Sequence, residues 1–102
     1  MSLPVRTTPE ADAQILAVDA WWRSNRSAAP NLFREELTAA FETISHAPQI
    51  GRPYRRSPVT GTRRVLLSAT RYHVYYVPQH DEVKVLAVWH ARRGVSPPLR
   101  LG

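Results

Sequence analysis

Two strand-like segments near the carboxyl end place the strongest constraint on what this chain can fold into. Residues 71–77 (RYHVYYV) and 83–89 (VKVLAVW) are rich in β-branched and aromatic residues, and the polar connection 78–81 (PQHD) contains turn-forming residues. In residues 71–77, bulky side chains occupy both alternating faces, so a strand here requires a covering layer on each side. The sequence therefore predicts a β-hairpin in the middle of a sheet.

A first helix is predicted from about Pro9 to Asn25. It begins with Thr8, Pro9 and Glu10, which supply a capping oxygen, a proline for the first turn and an acid near the positive end of the helix dipole. Its predicted apolar stripe consists of Ala11, Ile15, Val18 and Trp22, widened by Leu16 and Trp21. Asp12, Asp19 and Arg23 are predicted to face away from the core.

A second helix is predicted over residues 31–47, after a short break at residues 24–30. Apolar residues recur there at helical spacing more regularly than anywhere else in the chain: Phe33, Leu37, Ala40, Phe41 and Ile44. Two such helices joined by a short connector form an antiparallel hairpin that must lay its apolar side on another layer. We expect the sheet to be that layer.

The remaining segments complete a single domain over residues 1–102. Residues 3–7 are expected to form a short edge strand, because Pro4 lacks an N–H group. Residues 48–61 hold three prolines and two glycines and are expected to form a loop with at most a short extended piece, followed by a strand at residues 62–68. Residues 95–102 are interpreted as a tail. The predicted order is β-α-α-β-β-β, an α+β fold with a helical hairpin packed on one antiparallel sheet.

Charge is distributed unevenly along the chain. Residues 1–49 carry four arginines and six acidic residues, a net charge of −2, whereas residues 50–102 carry ten cationic and two acidic residues, a net charge of +8. A strongly positive half favours an anionic partner, either nucleic acid or an acidic protein.

Several classes of protein are excluded or disfavoured by composition. The chain contains no cysteine, which excludes disulfides, thiolate catalysis and cysteine zinc sites. The four histidines have no acidic residues at metal-ligand spacing, so we expect no metal and no cofactor. No run approaches the roughly 18 apolar residues of a membrane span, and the amino terminus does not resemble a signal peptide. We therefore expect a cytoplasmic protein without membrane contact.

A cluster of titratable and cationic residues follows the last predicted strand. His90 is predicted to lie in phase with Leu86 and Val88, and Arg92 and Arg93 come directly after it. The imidazole has the pKa range of a general acid or base, and a neighbouring guanidinium can stabilise an oxyanion. The alternative is a histidine hydrogen-bonded to backbone beside solvated arginines.

Other candidate residues admit two interpretations each. Tyr72, Tyr75 and Tyr76 either stack on bases or pack the sheet. Trp21 and Trp22 are adjacent on a helix, so both cannot face the core, and one is predicted either to lie under a partner's helix or to stack on loop residues. Four further arginines either form a groove for a polyanion or acidic partner or simply make a basic face: Arg55, Arg56, Arg63 and Arg64.

The order of these motifs resembles the RelE/ParE superfamily of toxins from type II toxin–antitoxin modules. The resemblance covers roughly residues 3–94 and is carried by the helical hairpin, the GRP loop at 51–53, the YHVYY strand at 72–76 and the closing VLAVWHARR at 85–93. It implies a microbial-RNase-like fold and growth inhibition by the free toxin. It also implies a hetero-oligomer with a cognate acidic antitoxin that neutralises the toxin.

The superfamily divides by target, and the resemblance implies different roles in each branch. RelE-like members cut mRNA on the ribosome, and there Arg64 matches an expected strand lysine and Arg92 an expected arginine. Leu66 and His73 replace two further cations of that pattern, and no tyrosine follows Arg92. The WHARR ending is closer to ParE-like sequences, which poison DNA gyrase.

The resulting hypothesis is a ParE-like toxin that acts by binding DNA gyrase. Its predicted target-binding residues are Arg92, Arg93, Arg63 and Arg64, and its predicted antitoxin-binding residues are Trp21, Trp22, Arg55, Arg56 and Arg71. The first alternative is a metal-independent, ribosome-dependent endoribonuclease whose catalytic residues are His90, Arg92 and Arg64. A second alternative is a basic nucleic-acid-binding module without toxicity, whose binding would depend steeply on salt.

Overall fold

The computed structural model describes residues 2–102 and confirms the predicted order of elements, with one short strand added. The elements are β1 (Val5–Thr7), α1 (Pro9–Asn25), α2 (Leu32–His46), β2 (Arg52–Pro53), β3 (Arg63–Leu67), β4 (Tyr72–Pro78) and β5 (Val83–His90). The strands form one sheet in the order β1-β5-β4-β3-β2, so the predicted hairpin of β4 and β5 lies near its middle. The added strand, β2, is the extended piece of the 48–61 loop and pairs with the start of β3.

The sheet is mixed, which corrects the expectation of a wholly antiparallel sheet. β1 pairs in parallel with β5, with Val5 opposite Val83, whereas the other neighbouring strands are antiparallel. A parallel neighbour requires a connection that crosses over the sheet. The chain makes this connection through the two helices and the other strands. β1 thereby pairs with the start of β5 on the edge that β4 does not occupy.

Both helices pack on one face of the sheet, which is called the helix face below. The core between the layers contains Ala11, Trp22, Phe33, Leu37 and Ile44 from the helices and Leu67, Val74, Tyr76, Val83, Val85 and Val88 from the strands. Helix α1 is capped as predicted: the Thr8 hydroxyl accepts a hydrogen bond of 3.1 Å from the Ala11 N–H. The predicted stripe of α2 is confirmed, since Phe33, Leu37 and Ile44 are buried in this core.

A β-bulge in β5 changes the predicted phase of the last strand. Tyr76 pairs with Val85 and Tyr75 with Ala87, so Leu86 is an extra residue between the two pairs. Leu86 consequently packs on the opposite face of the sheet from Val85 and Val88. The prediction that His90 lies in phase with Leu86 is therefore wrong, because an inserted residue shifts the two-residue alternation by one position.

The opposite face of the sheet, called the far face, is covered by loops instead of helices. Tyr75, Val77, Leu86 and Ala87 form its buried centre, and Tyr54, Val59 and Leu99 pack against them. Part of the segment interpreted as a tail contacts this face, since Leu99 is buried and Arg100 forms an ion pair with Glu10 at 3.5 Å, whereas Val95 and Leu101 are exposed.

Two predictions about the surface of α1 are wrong. Leu16 and Trp21 do not widen the apolar stripe, because they are 66% and 46% exposed. Asp19 is buried instead of facing solvent, and its Oδ2 accepts hydrogen bonds from Arg23 Nε at 3.2 Å and Arg34 Nη2 at 3.1 Å. Burial raises the pKa of Asp19, but the bonds and charges of Arg34 and Arg23 outweigh it, so the pKa lies below its ordinary value. Arg34 comes from α2, a packing partner that the sequence of α1 does not reveal.

The loop before β2 is fastened to the sheet by two side chains. The buried Tyr76 hydroxyl accepts a hydrogen bond from Gly51 N–H at 2.8 Å and donates one to the Pro48 carbonyl at 2.8 Å. Arg63 Nη1 donates to the carbonyls of Gln49 and Gly51 at 3.1 and 2.7 Å. The polar groups of this loop are thereby satisfied where it crosses the sheet edge.

Within residues 2–102, neither helix has the length and hydropathy that a membrane crossing requires.

Candidate functional site

A cleft of about 540 Å³ opens on the far face of the sheet, between the loop before β3 and the segment after β5. This far-face cleft is lined by cationic, aromatic and imidazole side chains: Arg55, Arg56, Arg64, Arg93, Tyr54, Tyr75, Trp89, His73 and His90. Backbone and side chains of residues 94–97 form its outer wall. The segment that follows β5 therefore helps to shape the cleft.

Arg64 is held at the floor of the cleft by two tyrosines. Pairing of β3 with β4 sets Arg64 opposite Tyr75, and its Nη1 donates a hydrogen bond of 3.2 Å to the Tyr75 hydroxyl. The guanidinium also lies over the rings of Tyr54 and Tyr75, at 5.0 and 5.9 Å from their centroids. Such cation–π contacts orient the planar cation without consuming its N–H donors.

Arg93 repeats this arrangement at the other end of the cleft. Its guanidinium carbon lies 4.1 Å from the centroid of the Trp89 ring. The indole is itself fixed, because Trp89 Nε1 donates a hydrogen bond of 2.8 Å to the Val95 carbonyl. The two ends of the cleft thus each present an arginine stacked on an aromatic ring.

No carboxylate neutralises the cleft within the described part of the chain. The acidic partners of the ion pairs are Glu10, Asp19, Glu42 and Glu82, and none of them lines the cleft. Arg55 and Arg56 lie in an exposed turn at its rim. An uncompensated group of cations in a concave site focuses a positive field there and attracts anions.

The charges in the cleft also change the pKa of His73, which lies on β4 two residues from Tyr75. Burial lowers the pKa of His73 below its ordinary value of 6.5, and the charges of Arg64 and Arg71 lower it further. His73 is consequently neutral at pH 7, so it contributes no charge to the cleft. It retains one N–H donor and one acceptor nitrogen.

The titration of His73 provides a direct test of this cation cluster. We expect its imidazole signals in NMR to titrate with a midpoint below 6.5, and the midpoint to move upwards in the Arg64→Gln variant, because a repelling cation has been removed. The Arg6→Gln variant, which loses an arginine paired with Glu82 on the opposite sheet edge, is the matched control and should leave the midpoint in place. An unchanged midpoint in Arg64→Gln would show that Arg64 does not act on His73.

A second groove, of about 400 Å³, lies on the helix face between α1 and the end of β5. It is lined by Gln14, Ala17, Val18, Tyr72, Val88, Trp89, His90, Arg92 and Arg93. Gln14 fixes the two elements together, since its Oε1 accepts a hydrogen bond of 2.8 Å from the Val88 N–H. We call this the α1 groove.

The three residues predicted to be catalytic do not line one cavity. Arg64 lines the far-face cleft, Arg92 lines the α1 groove, and His90 borders both from the end of β5. The His90 ring stands edge-on to Tyr72 at a centroid distance of 5.0 Å, and its Nδ1 accepts a hydrogen bond of 3.2 Å from the Arg92 N–H. The predicted backbone hydrogen bond of His90 is therefore present, and it engages one of the two ring nitrogens that acid–base work would use.

The predicted target-binding arginines are also placed differently from one another. Arg92 and Arg93 are exposed beyond the end of β5, and Arg64 lies in the cleft. Arg63 instead makes the two carbonyl hydrogen bonds that fasten the loop before β2. The Arg63 guanidinium therefore has a structural role, which the sequence of two adjacent arginines does not indicate.

The residues predicted to bind an antitoxin fall into four places. Trp22 is buried, with its Nε1 donating to the Ala29 carbonyl at 2.8 Å, whereas Trp21 is exposed and has Arg26 at 5.2 Å from its ring centroid. One tryptophan thus faces the core and the other solvent, as their adjacency predicted. The remaining three are exposed arginines: Arg55 and Arg56 at the rim of the cleft and Arg71 in the turn before β4.

Sequence reasoning did not assign three cleft residues to a site, Tyr54, His73 and Trp89, whereas Tyr75 was a candidate for base stacking. A usable signal was the alternation on β4, which sets His73 and Tyr75 on one face of the strand. No sequence pattern indicated that Tyr54 would line the cleft, because only the folded loop brings it to the sheet. Among residues 2–102, no group of three or more potential metal ligands is assembled.

Comparison with known families decides the classification of this chain. The family model described as "ParE toxin of type II toxin-antitoxin system, parDE" matches residues 5–95. The chain belongs to the ParE toxin family. The matched region includes both helices, the sheet and the strand-end arginines, so the resemblance to the RelE/ParE superfamily and the preference for its ParE branch are confirmed.

The fold agrees with this assignment. The structure is similar to a solved chain of the chromosomal ParDE TA system from P. aeruginosa, with a TM-score of 0.63 and 18% sequence identity over 89% of this chain and 98% of that one. A comparison with curated proteins gives no match. The architecture of this ParE-family chain is thus shared with that structure at low sequence identity.

Proposed function

We propose that this ParE-family chain inhibits growth by binding DNA gyrase, that it does not cut RNA, and that a cognate acidic antitoxin neutralises it. The separation of Arg64 and Arg92 between the far-face cleft and the α1 groove, with His90 bordering both, carries the proposal. General acid–base cleavage requires the base and the charge-stabilising groups to converge within hydrogen-bond reach of one reacting phosphate.

Two substitutions relative to the nuclease pattern support binding over hydrolysis. Leu66, which stands where that pattern has a second strand cation, is 41% exposed and lines a groove together with Ile50, Arg52, Arg64, Val65 and His73. His73 replaces the cation of the hairpin strand and is neutral at pH 7 because its pKa is lowered. Both changes remove positive charge from places where a cleaved phosphate would need it.

The surface charge supports an acidic antitoxin. Residues 50–102 carry a net charge of +8, and much of this charge is displayed by exposed arginines that have no acidic partner in the described residues, such as Arg55, Arg56 and Arg71. On the other side of the molecule, α1 exposes Leu16 and Trp21, and tryptophan is a residue type that contributes strongly to interfaces. A partner that combines apolar and acidic segments would match both regions.

The test of this proposal is expression of the toxin in a bacterial host, with and without the antitoxin, and in parallel with the His90→Gln variant. We expect filamentation and DNA-damage signalling with intact mRNA, and accumulation of cleaved plasmid when the purified toxin is incubated with gyrase. Toxicity of His90→Gln should stay within about twofold of the parent, because a binding mechanism does not use the imidazole as an acid or base.

The endoribonuclease remains the competing function, because His90 does border the cleft that holds Arg64. It predicts rapid loss of translation with cut mRNA, and a loss of activity of about 10²-fold or more in His90→Gln. That result would overturn the gyrase proposal.

A further inference from the structure

We infer that the far-face cleft is a binding site for single-stranded nucleic acid, which takes a phosphodiester with its attached base. The inference goes beyond the proposed function, since it concerns an activity of the isolated chain and holds whichever protein the toxin inhibits. It requires no bond to be made or broken.

The charge of the cleft matches a phosphodiester backbone. Four arginines line it, no acidic residue does, and the ion pairs of the described chain all lie elsewhere. Of these four, only Arg64 has a recorded side-chain hydrogen bond, and that bond uses a single donor, on the Tyr75 hydroxyl. A guanidinium has five N–H donors in a planar arrangement that suits phosphate oxygens.

The aromatic residues favour nucleic acid over a simple polyanion. Tyr54 and Trp89 are partly exposed in the same cleft as the arginines, whereas Tyr75 is buried at 3% exposure. Arg64 and Arg93 lie over the rings of Tyr54 and Trp89. Proteins that bind single strands combine a basic groove with flat aromatic and arginine side chains on which bases stack. An acidic peptide would use the cations but would have no base to place beside these rings.

The size and shape of the cleft favour an unpaired strand. Its volume of about 540 Å³ is within the range of small-ligand pockets, and it is bounded by the loop at residues 53–56 on one side and by residues 93–97 on the other. In a duplex, each base is stacked and paired inside the helix and cannot enter such a cleft beside a protein ring. A single strand exposes both its phosphates and the faces of its bases.

The experiment is fluorescence anisotropy with the purified chain and a labelled 12-nucleotide oligothymidylate, at several salt concentrations. The same protein is titrated with oligouridylate, with a 12-base-pair duplex and with a glutamate-rich peptide of equal length. We expect the single strands to bind tighter than the duplex and the peptide. Tighter binding of oligothymidylate than of oligouridylate would assign the site to DNA, and the reverse order would assign it to RNA.

Variants locate the binding in the cleft. The Arg64→Gln/Arg93→Gln double variant should lose at least about tenfold in affinity, and the slope of log K against log salt should flatten by about 1.4, as expected for two phosphate contacts on a single strand. Tyr54→Leu should weaken binding by about fivefold or more with the slope unchanged, because it removes a ring and no charge. Arg6→Gln/Arg26→Gln removes the same charge from two exposed side chains that do not line the cleft and should retain affinity within about threefold.

A second cleft variant guards against misfolding. Arg55 and Arg56 are exposed in a turn, so Arg55→Gln/Arg56→Gln removes charge from the rim without disturbing packing. If Arg64→Gln/Arg93→Gln shows no cooperative thermal unfolding transition, Arg55→Gln/Arg56→Gln is still expected to show the loss of affinity. Equal binding by the rim variant, the foldable cleft variants and the Arg6/Arg26 control would overturn the inference, and so would preferential binding of the duplex or of the glutamate-rich peptide.

Discussion

Replacing Arg92 and Arg93 together by alanine is expected to abolish growth arrest while the complex with the antitoxin survives. The two side chains are exposed beyond the end of β5, where Arg92 lines the α1 groove and Arg93 lines both the groove and the far-face cleft. They form a cationic edge where the two faces meet. Removing two charged contacts from the centre of an interface costs about 2–5 kcal/mol each, which is enough to eliminate binding at cellular concentrations.

The measurement is colony formation after induction, together with the amount of gyrase retained by immobilised toxin and the affinity for the antitoxin. Antitoxin affinity should change by less than about tenfold, a difference of 1.4 kcal/mol, because we place that interface on α1 and on the exposed arginines Arg55, Arg56 and Arg71. Arg6→Ala/Arg100→Ala removes the same charge at exposed ion pairs that lie outside both the far-face cleft and the α1 groove, and it should remain toxic. Full toxicity of a folded Arg92→Ala/Arg93→Ala protein would contradict the placement of the target interface.

Substitution of Gly51 by alanine is expected to destabilise the fold by about 2–4 kcal/mol, the sum of overpacking and of lost hydrogen bonds in a buried site. A Cβ atom at Gly51 would lie 2.5 Å from the Tyr76 hydroxyl oxygen and 2.8 Å from Tyr76 Cε1. The ring cannot retreat, because Tyr76 is fully buried and its hydroxyl is bonded to Pro48 and Gly51. Thermal unfolding followed by circular dichroism should show a fall in Tm of roughly 8–30 °C for a domain of this size.

The chain offers two controls for this prediction. Gly94 has no atom within 4 Å of an added Cβ, so Gly94→Ala should change the free energy of unfolding by no more than about 0.5 kcal/mol. Tyr76→Phe removes the closest atom of the clash, so Gly51→Ala/Tyr76→Phe should cost at least about 1 kcal/mol less than the sum of the two single changes. Strict additivity in this cycle would show that the two residues do not collide.

The candidate site was only partly predictable from the sequence. The positions of His90, Arg92 and Arg93 at a strand end follow from the length of the apolar run before them, and Arg64 was placed on a strand in the same way. Their division between two cavities was not predictable, because the bulge at Leu86 shifts the strand by one residue and nothing in the local pattern marks it. The role of Arg63 was hidden for a related reason: its partners are backbone carbonyls of a loop twelve or more residues away.

The sequence by itself determined the order of elements, the capped start of α1, the buried stripe of α2, the central hairpin and the positive charge of the second half. These depend on local propensity and on periodicity, which a chain carries in consecutive residues. Only the tertiary structure decided that β1 joins β5 in parallel, that Asp19 is buried between Arg23 and Arg34, and that Leu99 in the final segment is buried. Each of these results from contacts between segments remote in sequence, where packing and the satisfaction of buried polar groups override local preference.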